Sequence, residues 1–157
     1  MKVLVPVEGS KCSMEGIRVA SHYAKTRNAG VYILTVVPYI MDVDLELTAA
    51  ERDRLLETMK RRGEDVLGKA SNLMKSYGVA NFRTVLSTST SAANEIVAFA
   101  ENEQIDLILI GSRGLDATTR FFLGSVASKV VRYSPCCVYV VKDPRWMSEG
   151  TAVETDS

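Results

Sequence analysis

The chain has 157 residues, 46% hydrophobic and 24% charged, the balance of an ordinary single globular domain rather than of a disordered or fibrous chain. Nineteen Lys and Arg offset nineteen Asp and Glu, so no overall charge draws the molecule to nucleic acid or to an anionic membrane. The apolar run in MKVLVPVEGS stops at Glu8, too short for a signal sequence or a membrane span, and a cytoplasmic location is expected.

The elements follow in chain order. Residues 3–7 form a short apolar run, the first strand. Residues 13–28 place Ile17, Val19, Ala20 and Ala24 at helical spacing, with Gly30 as the stop. A second strand covers residues 31–37. The segment 38–47, PYIMDVDLEL, is long for a strand-to-helix connection and is expected to fold over a site or to pack against a partner. Thr48-x-x-Glu51 is a capping box. It opens a long helix whose Leu55, Met59, Val66, Ala70, Leu73 and Tyr77 share one stripe, ended by Gly78. After a third strand at 82–86, Ser87 to Ser91, STSTS, reads as a polar turn whose last serine caps a third helix, with Ile96, Val97 and Ala100 inward. A fourth strand covers 107–110. The fourth helix opens at Ser125, turns Val126, Val130 and Val131 inward, and stops before Pro135. The last strand is 138–141. From Pro144 onward the chain has no periodicity and few apolar residues, so the expected domain is 1–143 and the expected disordered tail 144–157.

Strands that are apolar at consecutive positions and alternate with helices predict a parallel sheet covered on both faces. The fold class is therefore α/β: a doubly wound five-stranded parallel sheet, order 3-2-1-4-5, with helices on both faces. In that order the first and fourth strands flank the point where the winding reverses, which is where such sheets bind ligands. Residues 8–13 and 111–125 are thus the loops to inspect, and STSTS, after an edge strand, is expected to lie away from them.

The second loop carries Gly111, Gly114 and Gly124, the last followed by Ser125. Glycines there permit positive φ or close backbone approach, and a helix N-terminus beyond them offers free N–H groups and positive potential to an anion. Ser125 is placed either to cap the helix or to give its hydroxyl to a phosphate. The loop is not a Walker A motif, since no lysine stands between Gly124 and Ser125, and Gly9 alone after the first strand is not a dinucleotide fingerprint.

The spacing Gly111-x2-Gly114-x9-Gly124-Ser125, with KVLVPVEGS, DLILIGSRG and SPCCVYVVK around it, resembles the ATP-binding branch of the universal stress protein family. The resemblance implies an adenine nucleotide alpha hydrolase-like fold and ATP as ligand, with Mg²⁺ or Mn²⁺ bridging its phosphates. By position, it implies that Gly111, Gly114, Gly124, Ser125 and Val126 meet phosphates and ribose. Pro6, Val7 and Glu8 would line the adenosine end, with Val36 or a neighbour offering backbone to the adenine. It also implies a homodimer through the final strand, Cys137 to Val141, an apolar edge. The chain departs from the family in having Glu8 for the usual aspartate, LSTSTSAANEI for a glycine followed by proline, and Cys137 for a proline.

Other candidates have plainer readings beside the functional ones. Glu8 is either a ligand carboxylate or a solvated residue at a strand end. Arg113 and Arg120 either neutralise phosphate or are ordinary loop arginines. Thr118, Thr119 and Ser125 are the hydroxyls nearest any bound γ-phosphate. Lys60, Arg61 and Arg62 sit among Glu57, Glu64 and Asp65, as on a solvated helix face. His22 has no catalytic partner at recognisable spacing. Cys12, Cys136 and Cys137 form an odd set without metal or disulfide spacing, and Cys137 is read as a small buried hydrophobe. With no lysine or nucleophile set for fast phosphoryl transfer, the expectation is a nucleotide-dependent switch or sensor in stress response with slow or no hydrolysis. The alternative is a protein-interaction module of the same fold that binds no nucleotide.

Overall fold

The computed structural model describes residues 1–39, 46–113 and 122–142. Five strands and four helices alternate: β1 (Lys2–Pro6), α1 (Lys11–Arg27), β2 (Gly30–Pro38), α2 (Ala49–Ser76), β3 (Phe82–Ser89), α3 (Ala92–Asn102), β4 (Leu107–Gly111), α4 (Ser125–Tyr133) and β5 (Cys137–Val141). The sheet is parallel, in the order β3-β2-β1-β4-β5. Gly114, Thr118, Thr119, Arg120, residues 40–45 of the long connection and the expected tail lie outside the described residues.

The two-residue period of a strand explains the layers. Val3, Val5, Ile33, Leu107 and Leu109 point to the face covered by α1 and α2, beside Ile17, Ala70 and Met74. Leu4, Leu34, Ile108 and Ile110 point to the other face, beside Ala93, Ile96 and Val130 of α3 and α4. Complete burial of a leucine or isoleucine contributes about 1.5–3 kcal/mol, so the runs VLV, IL and LIL are what hold both helix layers to one sheet.

The local signals hold, with shifts. Thr48 and Glu51 form the reciprocal capping box, and Gly78 follows α2 at φ +82°. α1 begins two residues earlier than its apolar spacing indicates, because Ser10 rather than Ser13 is its N-cap, accepting the Ser13 N–H at 3.2 Å. Its stop is Asn28 in the left-handed conformation at φ 50°, not Gly30, which opens β2. Asparagine tolerates that conformation, and its N–H returns to the Tyr23 carbonyl. On α2, the fully buried positions are Gly63, Leu67, Ala70 and Met74, one step around from the expected stripe. On α4, Ala127 and Val130 are buried while Val126 and Val131 are exposed. Cys137 is also exposed, contrary to its reading as a buried hydrophobe, because it lies on an edge strand; Cys12 is the buried cysteine.

Gly111 sets the distance between the two halves of the sheet. It does not adopt positive φ among the described glycines, where only Gly9 and Gly78 do. Its role is close approach: a Cβ there would lie 2.9 Å from the Ser13 backbone nitrogen and 3.0 Å from Cys12 Cβ, in the first turn of α1. Backbone cannot yield as a flexible side chain does, so Gly111→Ala is expected to destabilise the fold by about 1–3 kcal/mol, read as a lower midpoint in urea denaturation.

Candidate functional site

β1 and β4 are neighbours, but their connections leave in opposite directions, one to α1 on the first face and the other toward α4 on the second. The divergence opens a cavity of about 610 Å³ at the carboxyl ends of the strands, the size and place expected of a small-molecule site in a doubly wound sheet. Its floor is the top of the second-face core, formed by Leu34, Ile96, Ile110 and Ala127.

Of the expected site residues, nine line this one cavity. Pro6, Val7 and Glu8 come from the end of β1, Val36 from β2, Gly111 and Arg113 from the end of β4, and Gly124, Ser125 and Val126 from the start of α4. The tenth, Gly114, lies outside the described residues.

The anion-attracting end is built at α4. Gly124, not Ser125, is the N-cap, and its N–H is already given to the Ser112 carbonyl at 2.8 Å. The first bond within the helix runs from Ser128 N–H to the Gly124 carbonyl, so the N–H groups of Ser125, Val126 and Ala127 precede the helical ladder. All three residues line the cavity. Ser125 Oγ has no protein partner among the described residues. A helix terminus contributes about 0.3–1 kcal/mol per ligand charge at exposed sites, whereas micromolar affinity requires roughly 8 kcal/mol. A ligand held at that affinity would therefore need most of its binding energy from the remaining surface.

Ser112 ties the loops together. Its N–H reaches the Val141 carbonyl, its carbonyl accepts from Gly124, and its Oγ lies 3.8 Å from Cys12 Sγ. Ser10 Oγ donates to the Arg113 carbonyl at 3.3 Å. The loops after β1 and β4 are thus bonded to each other beneath the cavity.

At the opposite end, β1 runs out before β2. Val7 N–H still donates to the Leu34 carbonyl, and Tyr39 N–H donates to Ser89 across on β3. Strand alternation then turns the backbone of Val36 toward β1, beyond the last paired residue, Pro6. The Val7 carbonyl, which would otherwise be its neighbour, accepts from buried Thr35 Oγ1 at 2.9 Å. The polar groups of Val36 consequently face the cavity side.

Sequence reasoning missed Ser89, Thr90, Ala92 and Ile96, which also line the cavity. STSTS is not a turn remote from the site: β3 continues through Ser89, paired with Pro38, and carries Thr90 to the cavity wall. The only signal was indirect. β2 has apolar residues past the end of β1, and such a strand needs a partner on its other side.

Glu8 stands at the rim, followed by Gly9 at φ +96°. Its residue surface is exposed, but the carboxylate turns back over the β1–α1 turn, where Oε1 accepts the Ser10 N–H at 3.3 Å. Desolvation in the cleft raises its pKa above the ordinary 4.5, opposed by the hydrogen bonds with Ser10. The native state therefore binds this proton more tightly than the unfolded chain does. Glu8 costs no stability below the ordinary value and lowers stability as pH rises through its native value.

Comparison with known proteins fixes the family. The universal stress protein family profile matches residues 1–142. The chain belongs to the universal stress protein family. A universal stress protein of Methanocaldococcus jannaschii is 35% identical over 144 residues, covering 92% of this chain and 83% of its own. The universal stress protein UspA of Lactobacillus plantarum has a TM-score of 0.77 at 26% identity, over 90% of this chain and 97% of its own. A universal stress protein of Archaeoglobus fulgidus, solved in complex with dAMP, has a TM-score of 0.64 at 23% identity, over 90% and 98%. The five-stranded universal stress protein architecture with strand order 3-2-1-4-5 is the one seen here. Among the described residues, no helix is long and apolar enough to cross a membrane.

One consequence of the site is measurable without ligand. Glu8→Gln keeps the acceptor for Ser10 and removes the charge, so its melting temperature should exceed that of the wild type at about pH 7. The gap should close by about pH 3, well below the ordinary value, where the carboxyl is protonated in both states. A gap independent of pH would mean that the charge of Glu8 is not its cause.

Proposed function

We propose that this chain is an adenine-nucleotide-binding member of its family, taking ATP and acting as a nucleotide-dependent switch or sensor in stress response. The observation that carries this reading is the convergence on one cavity of the unladdered N–H groups of α4 and, across an apolar floor, the outward-facing backbone of Val36. The first suits phosphate, the second suits the hydrogen-bonding edge of a base. The Archaeoglobus fulgidus relative with bound dAMP supports the same ligand class.

Among the described residues no three His, Cys, Asp or Glu side chains are grouped to hold a metal ion. Mg²⁺ or Mn²⁺ would then be held chiefly by the ligand's own phosphates, whose charge it would offset. Titration calorimetry with ATP and Mg²⁺ is expected to give saturable binding, and Gly114 to a bulky residue should weaken it by blocking backbone approach. No heat of binding at millimolar ATP would overturn the assignment.

The second part of the reading is a homodimer through β5. Ser112 N–H bonds to Val141, so odd residues of β5 face β4, and Val138 and Val140 turn their backbone groups outward along an open edge. Tyr139, 45% exposed, adds apolar surface there. Sedimentation at micromolar concentration should give twice the chain mass. Val140→Pro, which removes one outward N–H while sparing the bonds to β4, should shift it toward monomer; a wild type of single-chain mass would end the proposal.

A further inference from the structure

The side of the cavity formed by the ends of β2 and β3 carries a feature that anion binding does not use. Its walls are Leu34, Val36 and Pro38 of β2, Ile96 of α3, and Thr90 beyond the end of β3. In these apolar surroundings most polar side chains are already engaged. Ser89 Oγ donates to the Ser91 carbonyl and accepts the Ser91 N–H, both at 3.2 Å. Glu8 accepts from Ser10. Thr90 Oγ1 has no protein partner among the described residues, and it lines the cavity because the β2–β3 ladder outruns β1, with Val36, Val37 and Pro38 paired to Ser87, Thr88 and Ser89.

A hydroxyl both donates and accepts, whereas a phosphate only accepts unless protonated. The mixed character of Thr90 matches the edge of a heterocycle, which carries ring-nitrogen acceptors beside an amine donor. The apolar lining formed by Val36 over buried Leu34 and Ile96 matches the face of such a ring. We propose that Thr90 is a specificity-determining residue for the ring end of the ligand, its hydroxyl hydrogen-bonding the edge of a purine base held against Leu34, Val36 and Ile96. This rests on the nucleotide reading above and adds a residue from β3–α3 to the β1, β2 and β4–α4 set.

Titration calorimetry on the wild type, Thr90→Val and Thr90→Ser, each with ATP and separately with inorganic tripolyphosphate, tests it. Thr90→Val should weaken ATP roughly 3- to 10-fold, the range for one hydrogen bond, leave tripolyphosphate binding unchanged and keep the wild-type melting temperature. Thr90→Ser should retain wild-type ATP affinity. Unchanged ATP affinity in Thr90→Val overturns the inference, as does an equal loss for both ligands, which marks a general effect on the turn. A wild type that binds tripolyphosphate as tightly as ATP overturns it while sparing the anion site. A wild type that binds neither removes the nucleotide reading, and this inference with it.

Discussion

The close approach of Gly111 to the first turn of α1 is the contact on which the rest of the site depends. It brings the end of β4 against Cys12 and Ser13 without an intervening side chain. Ser10 can then bond the Arg113 carbonyl, and Ser112 can link Val141, Gly124 and the neighbourhood of Cys12. The two diverging connections are thereby joined at their base while remaining open above. A side chain at Gly111 would push α1 from β4 and widen the cleft from below.

The polarity of the cavity follows from where strands stop. Every β-strand ends with backbone groups that need partners or water. α4 presents N–H groups because a helix cannot satisfy its own first turn, and β2 presents the backbone of Val36 because β1 is shorter. Neither device needs a charged side chain, consistent with a protein of balanced charge. Glu8 and Arg113 are the charged residues of the described lining, and Glu8 stands at the rim. Its carboxylate is turned back to Ser10, and the cleft disfavours its ionised form, so this acidic group is held partly in check by its surroundings.

Edge strands divide the exposed features between two ends of the sheet. β5 leaves Cys137 and Tyr139 in solvent although both lie in an apolar run, because β5 is an edge strand and among the described residues no strand pairs with its outer side. β3 ends in polar residues where β5 is apolar: Ser89 lines the cavity, and just beyond the strand Thr90 lines it too while Ser91 caps α3. The two edges of one sheet thus have different chemistry.

The sequence by itself determined the element order, the parallel winding and the place of the site. Consecutive apolar residues in VLV and LILI are costly anywhere but in a strand covered on both faces, and a capping box, a serine before α3 and a glycine after α2 act through neighbours only a few residues away. The glycine spacing left a phosphate cradle and a structural turn both open, and the resemblance to the family motif favoured the cradle. Only the tertiary structure decided which groups fill each role. Gly111 is small because of Ser13, nearly one hundred positions away. Gly124 rather than Ser125 caps α4 because its N–H finds Ser112. The first three residues of STSTS become strand because β2 outruns β1, and that same pairing delivers Thr90 to the cavity. In each case the deciding partner is distant in sequence, and a local pattern carries no trace of a contact that exists only once the sheet has formed.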